Sequence, residues 1–518
     1  MKSRLLLFLI VLFGTISFLN PACNQQKIPA SPNILLILAD DMGYSDLGCY
    51  GSEINTPNLD QLAADGMMFT QFYNTAKCVP TRTEIMTGLY HQQTDELKID
   101  NNNVTIAEVL KEKGYFTAMC GKWHLGRYRE EKDTPPDRGF DRFFGFLGGG
   151  INYYTGVDDP SGDNLMRLDR EVYEVPDDFY STDDFTDYAL EFMKEGQEKE
   201  KPFFFYIAYN APHFPLQVPE VEIEKYLDTY IIGWDSLRDK RYQKMIDMDI
   251  IDPAWKLSER YSIVPAWDLL NEKEQAEEVR LMATYAGMID RMDQQIGRLL
   301  QYLDDEGMTE NTIVMFLSDN GACPFDFNHT PNIPPGPANS FRTYDTEWAN
   351  ASNTPFRLYK QWIHEGGIST PMIVRWPKKV APGTRTNITG RITDIMPTIL
   401  EAASAPYPVY YNDYSVLPAE GESLLPVLEG KEMNRTKPFF WEYRGSRGVR
   451  KGDWKLVAER GREWELYNLK DDRSETNNLI EDYPQKAEGY GNLYDEWAEH
   501  SGAPSNAEAR SMKPSSQD

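Results

Sequence analysis

Two pairs of oxygen-bearing residues each close an apolar run. Asn33–Ala39 leads into Asp40-Asp41-Met42-Gly43, and Thr312–Ser318 leads into Asp319-Asn320-Gly321. Continuous apolar runs of this length read as strands buried on both faces. In open α/β sheets, ligands gather beyond the carboxyl ends of such strands. Adjacent carboxylates repel unless something positive lies between them. Three carboxylates and one amide oxygen are hard donors, and they suit Ca²⁺ or Mg²⁺ rather than Zn²⁺. Either pair alone is equally well explained as an acidic cap on a following helix. The two pairs together point to a bound cation.

Basic residues follow other apolar runs. Gly121-Lys122-Trp123-His124-Leu125-Gly126 continues a strand-like stretch over 115–120. On extended backbone, Lys122 and His124 share one side. His213 sits in Asn210-Ala211-Pro212-His213, just past the run 203–209, and Lys360 ends the segment 353–360. Upstream lies Cys78-Val79-Pro80-Thr81-Arg82, continuing to Thr87-Gly88. A lone lysine or histidine is usually solvated or satisfied, and a lone cysteine beside a proline is usually a buried thiol. The ordered set has a different meaning. Arg82, Lys122, His124, His213 and Lys360 around a divalent cation would form a locally basic pocket in an acidic chain.

The stretch 78–88, Cys-x-Pro-x-Arg followed by an apolar pair and Thr-Gly, resembles the signature of the formylglycine-dependent sulfatases of the alkaline phosphatase superfamily. Thr81 stands where that family prefers Ser. Thr56-Pro57-Asn58-Leu59-Asp60 and Gly452-Asp453-Trp454-Lys455-Leu456-Val457 extend the resemblance, which runs from Asn33 to about Asn478. It implies that a sulfatase-maturing enzyme oxidises Cys78 to formylglycine, whose hydrate is the nucleophile. A thiol attacking sulfur would leave a sulfated cysteine. A geminal diol can expel sulfate by collapsing back to the aldehyde. The resemblance places residue 78, Asp40, Asp41, Asp319 and Asn320 on Ca²⁺, with Mg²⁺ as the alternative. It has Arg82 orient the diol and Lys122 and Lys360 grip sulfate oxygens. His213 protonates the leaving oxygen, and His124 takes the proton of the second hydroxyl.

The family contains carbohydrate and aryl sulfatases. A sulfated saccharide is the favoured substrate here, with a small aryl sulfate as the alternative. Partners for a sugar are expected from loops near 133–187, 226–265 and 325–342. Tyr153, Tyr154, Trp255 and Trp267 either stack on a sugar or belong to the core. Phosphoester and phosphonate hydrolases of the same superfamily are a rival reading. The cysteine motif and the lack of a second His/Asp ligand set disfavour them. A non-catalytic glycan-binding role is disfavoured because every reacting residue is present.

Positioning these residues needs a large α/β domain. Over 31–406, strand-like runs alternate with amphipathic stretches at 56–67, 105–113 and 271–303. This pattern predicts a mostly parallel sheet flanked by helices, the alkaline phosphatase-like arrangement. The stretches 133–187 and 226–265 read as irregular insertions over the strand ends. A helix over 393–403 closes the domain. Residues 407–500 predict a smaller antiparallel sheet from strands near 439–444, 448–450, 454–458 and 464–468, with a helix over 486–499. The polar tail 501–518 is expected to be disordered.

Bulk properties narrow the classes further. The chain has 518 residues, 41% of them hydrophobic, and a formal charge of −28. That charge excludes nucleic acid as a partner, since phosphate contacts need clustered Lys and Arg. Lys2 and Arg4 precede an apolar stretch over 5–19, which reads as a secretory signal within a leader of residues 1–30. Ala22-Cys23 suggests a bacterial lipoprotein with Cys23 lipidated, giving membrane attachment at the periplasm or outer membrane surface. Ordinary cleavage after Ala22 and an uncleaved anchor are the alternatives. Cys49, Cys120 and Cys323 remain as an odd set, which argues against a disulfide scaffold.

Overall fold

The computed structural model describes residues 31–94, 99–125, 132–157 and 165–513. The leader and Cys23 lie outside the described residues. Nine strands build most of the main sheet: β1 Asn33–Ala39, β2 Met67–Tyr73, β3 Phe116–Lys122, β4 Arg142–Phe146, β5 Arg167–Leu168, β6 Glu171–Val172, β7 Phe203–Ala208, β8 Thr312–Ser318 and β9 Ser369–Arg375. Their order is β2-β9-β8-β1-β7-β3-β4-β5-β6. The centre, β8-β1-β7-β3-β4, is parallel throughout. Strand β9 runs antiparallel to both β8 and β2.

The two-residue period of a strand explains how this sheet is covered. Leu35, Ile37 and Ala39 face one core, shared with Met282, Ala286 and Ile289 of the long helix Glu272–Asp305. Ile34, Leu36 and Leu38 face the other, shared with Ile85 and Met86 of helix Cys78–Thr87 and Met396 and Ile399 of helix Ile395–Ala402. Both faces are apolar, so the strand reads as an unbroken apolar run.

Several sequence expectations need correction. The helix expected over 56–67 spans Pro57–Ala64, and β2 starts at Met67. The stretch 133–187 is not an irregular insertion throughout, because it contributes β4 to the main sheet beside β3. The stretch 226–265 contains helix Gly233–Asp247. Its Trp234 packs with Trp267 and Trp348.

The C-terminal sheet pairs Phe439–Tyr443, Ser446–Lys451, Trp454–Ala458 and Glu465–Asn468 in antiparallel order, and helix Pro484–Ser501 packs on it. Buried Glu365 ties this layer to the main sheet. It takes Lys455 Nζ at 2.9 Å and Arg473 Nε at 2.8 Å. The tail is not disordered over 501–513. Ser505 caps a helix over Asn506–Ser511, and Asn506 accepts from Arg447 Nε. Among the described residues, no helix is long and apolar enough to cross a membrane.

Candidate active site

Strand register assembles the site. Ala39 of β1 pairs with Ser318 of β8, so Asp40-Asp41 and Asp319-Asn320 leave adjacent parallel strands side by side. Two strands further along, β3 ends on Lys122, while the chain beyond β7 reaches His213. Helix Cys78–Thr87 starts at the same edge, with Cys78 and Arg82 fully buried. Gly321 is there for space: a Cβ would lie 2.0 Å from the Gly366 carbonyl oxygen.

The three carboxylates face three basic side chains. Asp40 Oδ2 takes Lys122 Nζ at 2.5 Å and has Arg82 Nη2 at 3.6 Å. Asp41 Oδ1 takes Lys360 Nζ at 2.5 Å and Asn320 Nδ2 at 2.6 Å. Asp319 Oδ2 takes Arg82 Nε at 3.1 Å and Nη2 at 2.8 Å, while Arg82 Nη1 donates to the Lys122 carbonyl. Arg82 thereby locks the ends of β8 and β3 together. Asp41 has a left-handed backbone, φ 66°, and Tyr285 braces its turn. The Tyr285 hydroxyl donates to Asp46 Oδ2 at 2.8 Å and lies 3.3 Å from the Asp41 carbonyl oxygen.

Three buried oxygens in this cluster have no hydrogen-bond partner: Asp40 Oδ1, Asp41 Oδ2 and Asn320 Oδ1. Buried polar atoms are normally satisfied, so three such acceptors side by side form a donor set suited to a cation. They are hard oxygen donors and fit Ca²⁺ or Mg²⁺. His213 Nε2 lies 3.5 Å from Asp41 Oδ2, and with Asp40 it completes a close set of potential donors. Electrostatics agree. Burial pushes Asp40 up, and burial and the Asp40 charge push Asp319 up to about 6. Burial acts the same way on Asp41, but Lys360 and His213 hold it far below the usual carboxylate range.

A cavity of about 230 Å³ opens above this cluster. Lys77, Cys78, His124, His213, Phe214 and Phe325 are among its walls. Burial raises the Cys78 thiol, yet Lys122, Lys77 and Lys360 bring it below its ordinary value. His124 is held well below the imidazole range by burial and then by Lys122 and Arg82, and its Nδ1 has no partner. His213 is likewise pushed down by burial, against the pull of Asp41. Its Nδ1 is 2.6 Å from the Phe214 carbonyl oxygen, which leaves Nε2 on the Asp41 side.

All ten residues singled out from the sequence meet here. The four aromatic candidates for sugar stacking belong to the core instead. Tyr153 is buried, and its hydroxyl reaches the carbonyls of Asn210 and His213, so it supports the His213 loop rather than stacking on a ligand. Trp255 and Trp267 are buried as well, and Tyr154 packs on Tyr180. Loop 226–265 contributes nothing to the cavity wall, contrary to expectation; loops 149–152 and 325–341 do. Gly149 has a purpose that its triple-glycine context hid. A Cβ there would lie 3.1 Å from the His124 ring. Cys120 and Cys323 are buried free thiols, and Cys49 is a partly buried one.

Carboxylates and lysines gathered around a buried nucleophile position, at the strand ends of an alkaline phosphatase-like sheet, define a hydrolase of tetrahedral oxyanion esters. A family model described as Sulfatase matches residues 32–405, and one described as N-sulphoglucosamine sulphohydrolase, C-terminal, matches residues 356–499. The chain belongs to the sulfatase family, and it is an enzyme that hydrolyses sulfate esters. It is 34% identical to an uncharacterized sulfatase of Schizosaccharomyces pombe, over 89% of this chain and 92% of that one. It is 33% identical to an arylsulfatase of Klebsiella aerogenes, over 80% and 95%. Ps i-CgsB, solved in complex with k-i-k-neocarrahexaose, has the same fold, with a TM-score of 0.69 at 24% identity over 94% of this chain and 96% of that one.

Proposed function

We propose that this sulfatase acts through a formylglycine made from Cys78 and a Ca²⁺ or Mg²⁺ ion, on sulfate monoesters whose leaving group is a flat apolar ring. The orphaned oxygens of Asp40, Asp41 and Asn320 beside buried Cys78 carry the first part. Asp40, Asp41, Asp319, Asn320 and residue 78 would hold the cation, which when bound supplies Lewis-acid polarisation of the nucleophile and the sulfuryl group. The hydrated aldehyde at residue 78 would supply one hydroxyl to attack sulfur and a second whose proton loss releases sulfate.

The remaining work falls to side chains already in place. Lys122 and Lys360 stand over Asp40 and Asp41 as fixed point charges for sulfuryl oxygens in a water-poor pocket. Burial, with Lys122 and Arg82, disfavours the charged form of His124, and its partnerless Nδ1 would accept the proton of the second hydroxyl. Nε2 of His213, on the Asp41 side, would hand a proton to the leaving oxygen. The negative charge of the ester adds to that of Asp41 in favouring the imidazolium.

The substrate class rests on the cavity wall. Phe214 lies between Phe325 and Phe341, with ring centroids 6.2 and 6.1 Å away. Asn152, the amide in the wall, is engaged within the protein: Nδ2 donates to the Ala338 carbonyl, and Oδ1 accepts from the backbone of Tyr154 and Thr155. A sugar needs partners for its hydroxyls; an aryl ring needs a slot such as this one. The geometry therefore favours the aryl alternative over the saccharide. The arylsulfatase name of the Klebsiella relative points the same way. The test is turnover by matured protein of aryl sulfates, aryl phosphates, and sulfated mono- and disaccharides. Preferential hydrolysis of aryl sulfates is expected. Turnover confined to sulfated saccharides would replace this reading, and dominant phosphate turnover would support the superfamily rival. We further propose that the protein is exported, with Cys23 lipidated. Mass spectrometry of the mature N-terminus tests this.

A further inference from the structure

The cavity wall holds one more cation, which hydrolysis as derived above does not use. Lys77 immediately precedes Cys78, and its half-buried side chain lines the same cavity as Cys78, His124 and His213. The basic side chains below the cavity each sit on a carboxylate: Arg82 on Asp319, Lys122 on Asp40 and Lys360 on Asp41. Among the described residues, Lys77 has no carboxylate partner. Its ammonium instead faces the ring of Phe325, 5.2 Å from the centroid.

Phe325 locates that ammonium relative to the reaction. Lys360 Nζ is 5.5 Å from the same ring centroid, so Phe325 borders the sulfuryl end of the cavity. Phe325 also lies against Phe214, the neighbour of His213, so it equally borders the end that receives the leaving group. A flat ring resting on these two aromatics would bring a charged substituent toward Lys77. A half-buried ammonium without a counter-charge is poorly solvated, and an anion arriving with the substrate relieves that cost.

We propose that Lys77 determines specificity by binding a second anionic group, a carboxylate or a further sulfate, carried on the ring of the leaving group. The preferred substrate is then an aryl sulfate with two negative charges. This inference rests on the aryl reading above. Lys122 and Lys360 would meet the sulfuryl charge, together with the cation their site would hold, and Lys77 would meet the second charge. A long-range field does not supply this preference, because the chain as a whole is strongly negative.

The experiment compares 3-carboxyphenyl sulfate with its uncharged relative 3-carboxamidophenyl sulfate, using matured full-length protein and the Lys77→Met and Lys77→Arg variants. The wild type is expected to favour the carboxylate ester by about tenfold or more in kcat/KM, the scale of one charge-assisted hydrogen bond. Lys77→Met should bring that ratio close to one, with the loss appearing in KM, and Lys77→Arg should keep most of it. Equal losses on both esters in Lys77→Met would assign Lys77 to the sulfuryl group or to the fold and overturn the inference. So would a wild type that hydrolyses both esters without preference, which leaves the aryl reading standing. Hydrolysis of neither ester by matured wild type would overturn the aryl reading and this inference with it.

Discussion

Lys122 Nζ stands 2.5 Å from Asp40 Oδ2, with both side chains wholly buried at the ends of β3 and β1. The same arrangement recurs between Lys360 and Asp41. Each lysine thus neutralises one carboxylate of the proposed cation site. Lys122→Ala and Lys360→Ala should lower kcat/KM by about 10²–10³-fold, as expected for removing a pre-placed charge from a transition state. Each variant leaves a buried carboxylate without its partner, so metal-free protein should also melt earlier. Added Ca²⁺ should recover stability more than activity. Thermal melts and steady-state kinetics with and without chelator check both points.

Chelation should abolish turnover, and Ca²⁺ or Mg²⁺ should restore it better than Zn²⁺, because the orphaned donors are oxygens. Asn320→Ala removes one of those oxygens and should weaken cation affinity about tenfold or more. Calorimetric titration of metal into the chelated protein measures this. An affinity unchanged by Asn320→Ala would place the ion elsewhere.

Tyr285 touches no substrate-facing atom, yet its hydroxyl sits between Asp46 and the turn carrying Asp41. Tyr285→Phe should weaken metal binding about tenfold, as loss of a supporting hydrogen bond does. Excess Ca²⁺ should restore kcat. A purely structural role would lower the melting temperature without shifting the metal titration.

Gly149 makes room for the His124 ring, so Gly149→Val should displace that ring and reduce kcat more than tenfold in a folded protein. Gly150→Ala is a useful comparison, since its Cβ would stand 3.7 Å from His213, an ordinary contact. Equal kinetics for the two variants would remove His124 from the reaction.

Glu278 offers a pH signature away from the chemistry. Burial first, then the Glu347 charge, push its carboxyl up to about 8. The folded state therefore holds more protons than the unfolded state between pH 4.5 and 8. Stability from this group is present below about 4.5 and is lost as pH rises through 8. Glu278→Gln keeps an acceptor for the Trp348 indole N–H. It should raise the melting temperature by a few degrees at pH 8–9 and have little effect near pH 4. Parallel melts across that range read the sign directly.

Much of this was legible in the sequence, for identifiable reasons. Strands β1, β7 and β8 are buried on both faces, so each appears as an unbroken apolar run ending in functional residues. Strands β2 and β4 were not legible. Thr70 and Gln71 break the pattern of β2, and β4 is five residues long, with Gly145 packed against β3. The tail failed differently. Its composition is polar, but Ser505 caps a short helix whose one buried side chain, Ala509, leaves little hydrophobic signal. Lys77 went unremarked because a lysine is solvated by default. Only the structure shows that its ammonium turns inward over Phe325.

Conversion of residue 78 can be measured directly. Protein co-expressed with a sulfatase-maturing enzyme, and protein made without one, should be digested and the peptide spanning Lys77-Cys78-Val79 weighed against turnover of an aryl sulfate. The expected result is turnover proportional to the fraction of that peptide that has lost one sulfur and two hydrogens and gained one oxygen, with none from Cys78→Ala. Full turnover by protein whose Cys78 is wholly unmodified would contradict a formylglycine mechanism.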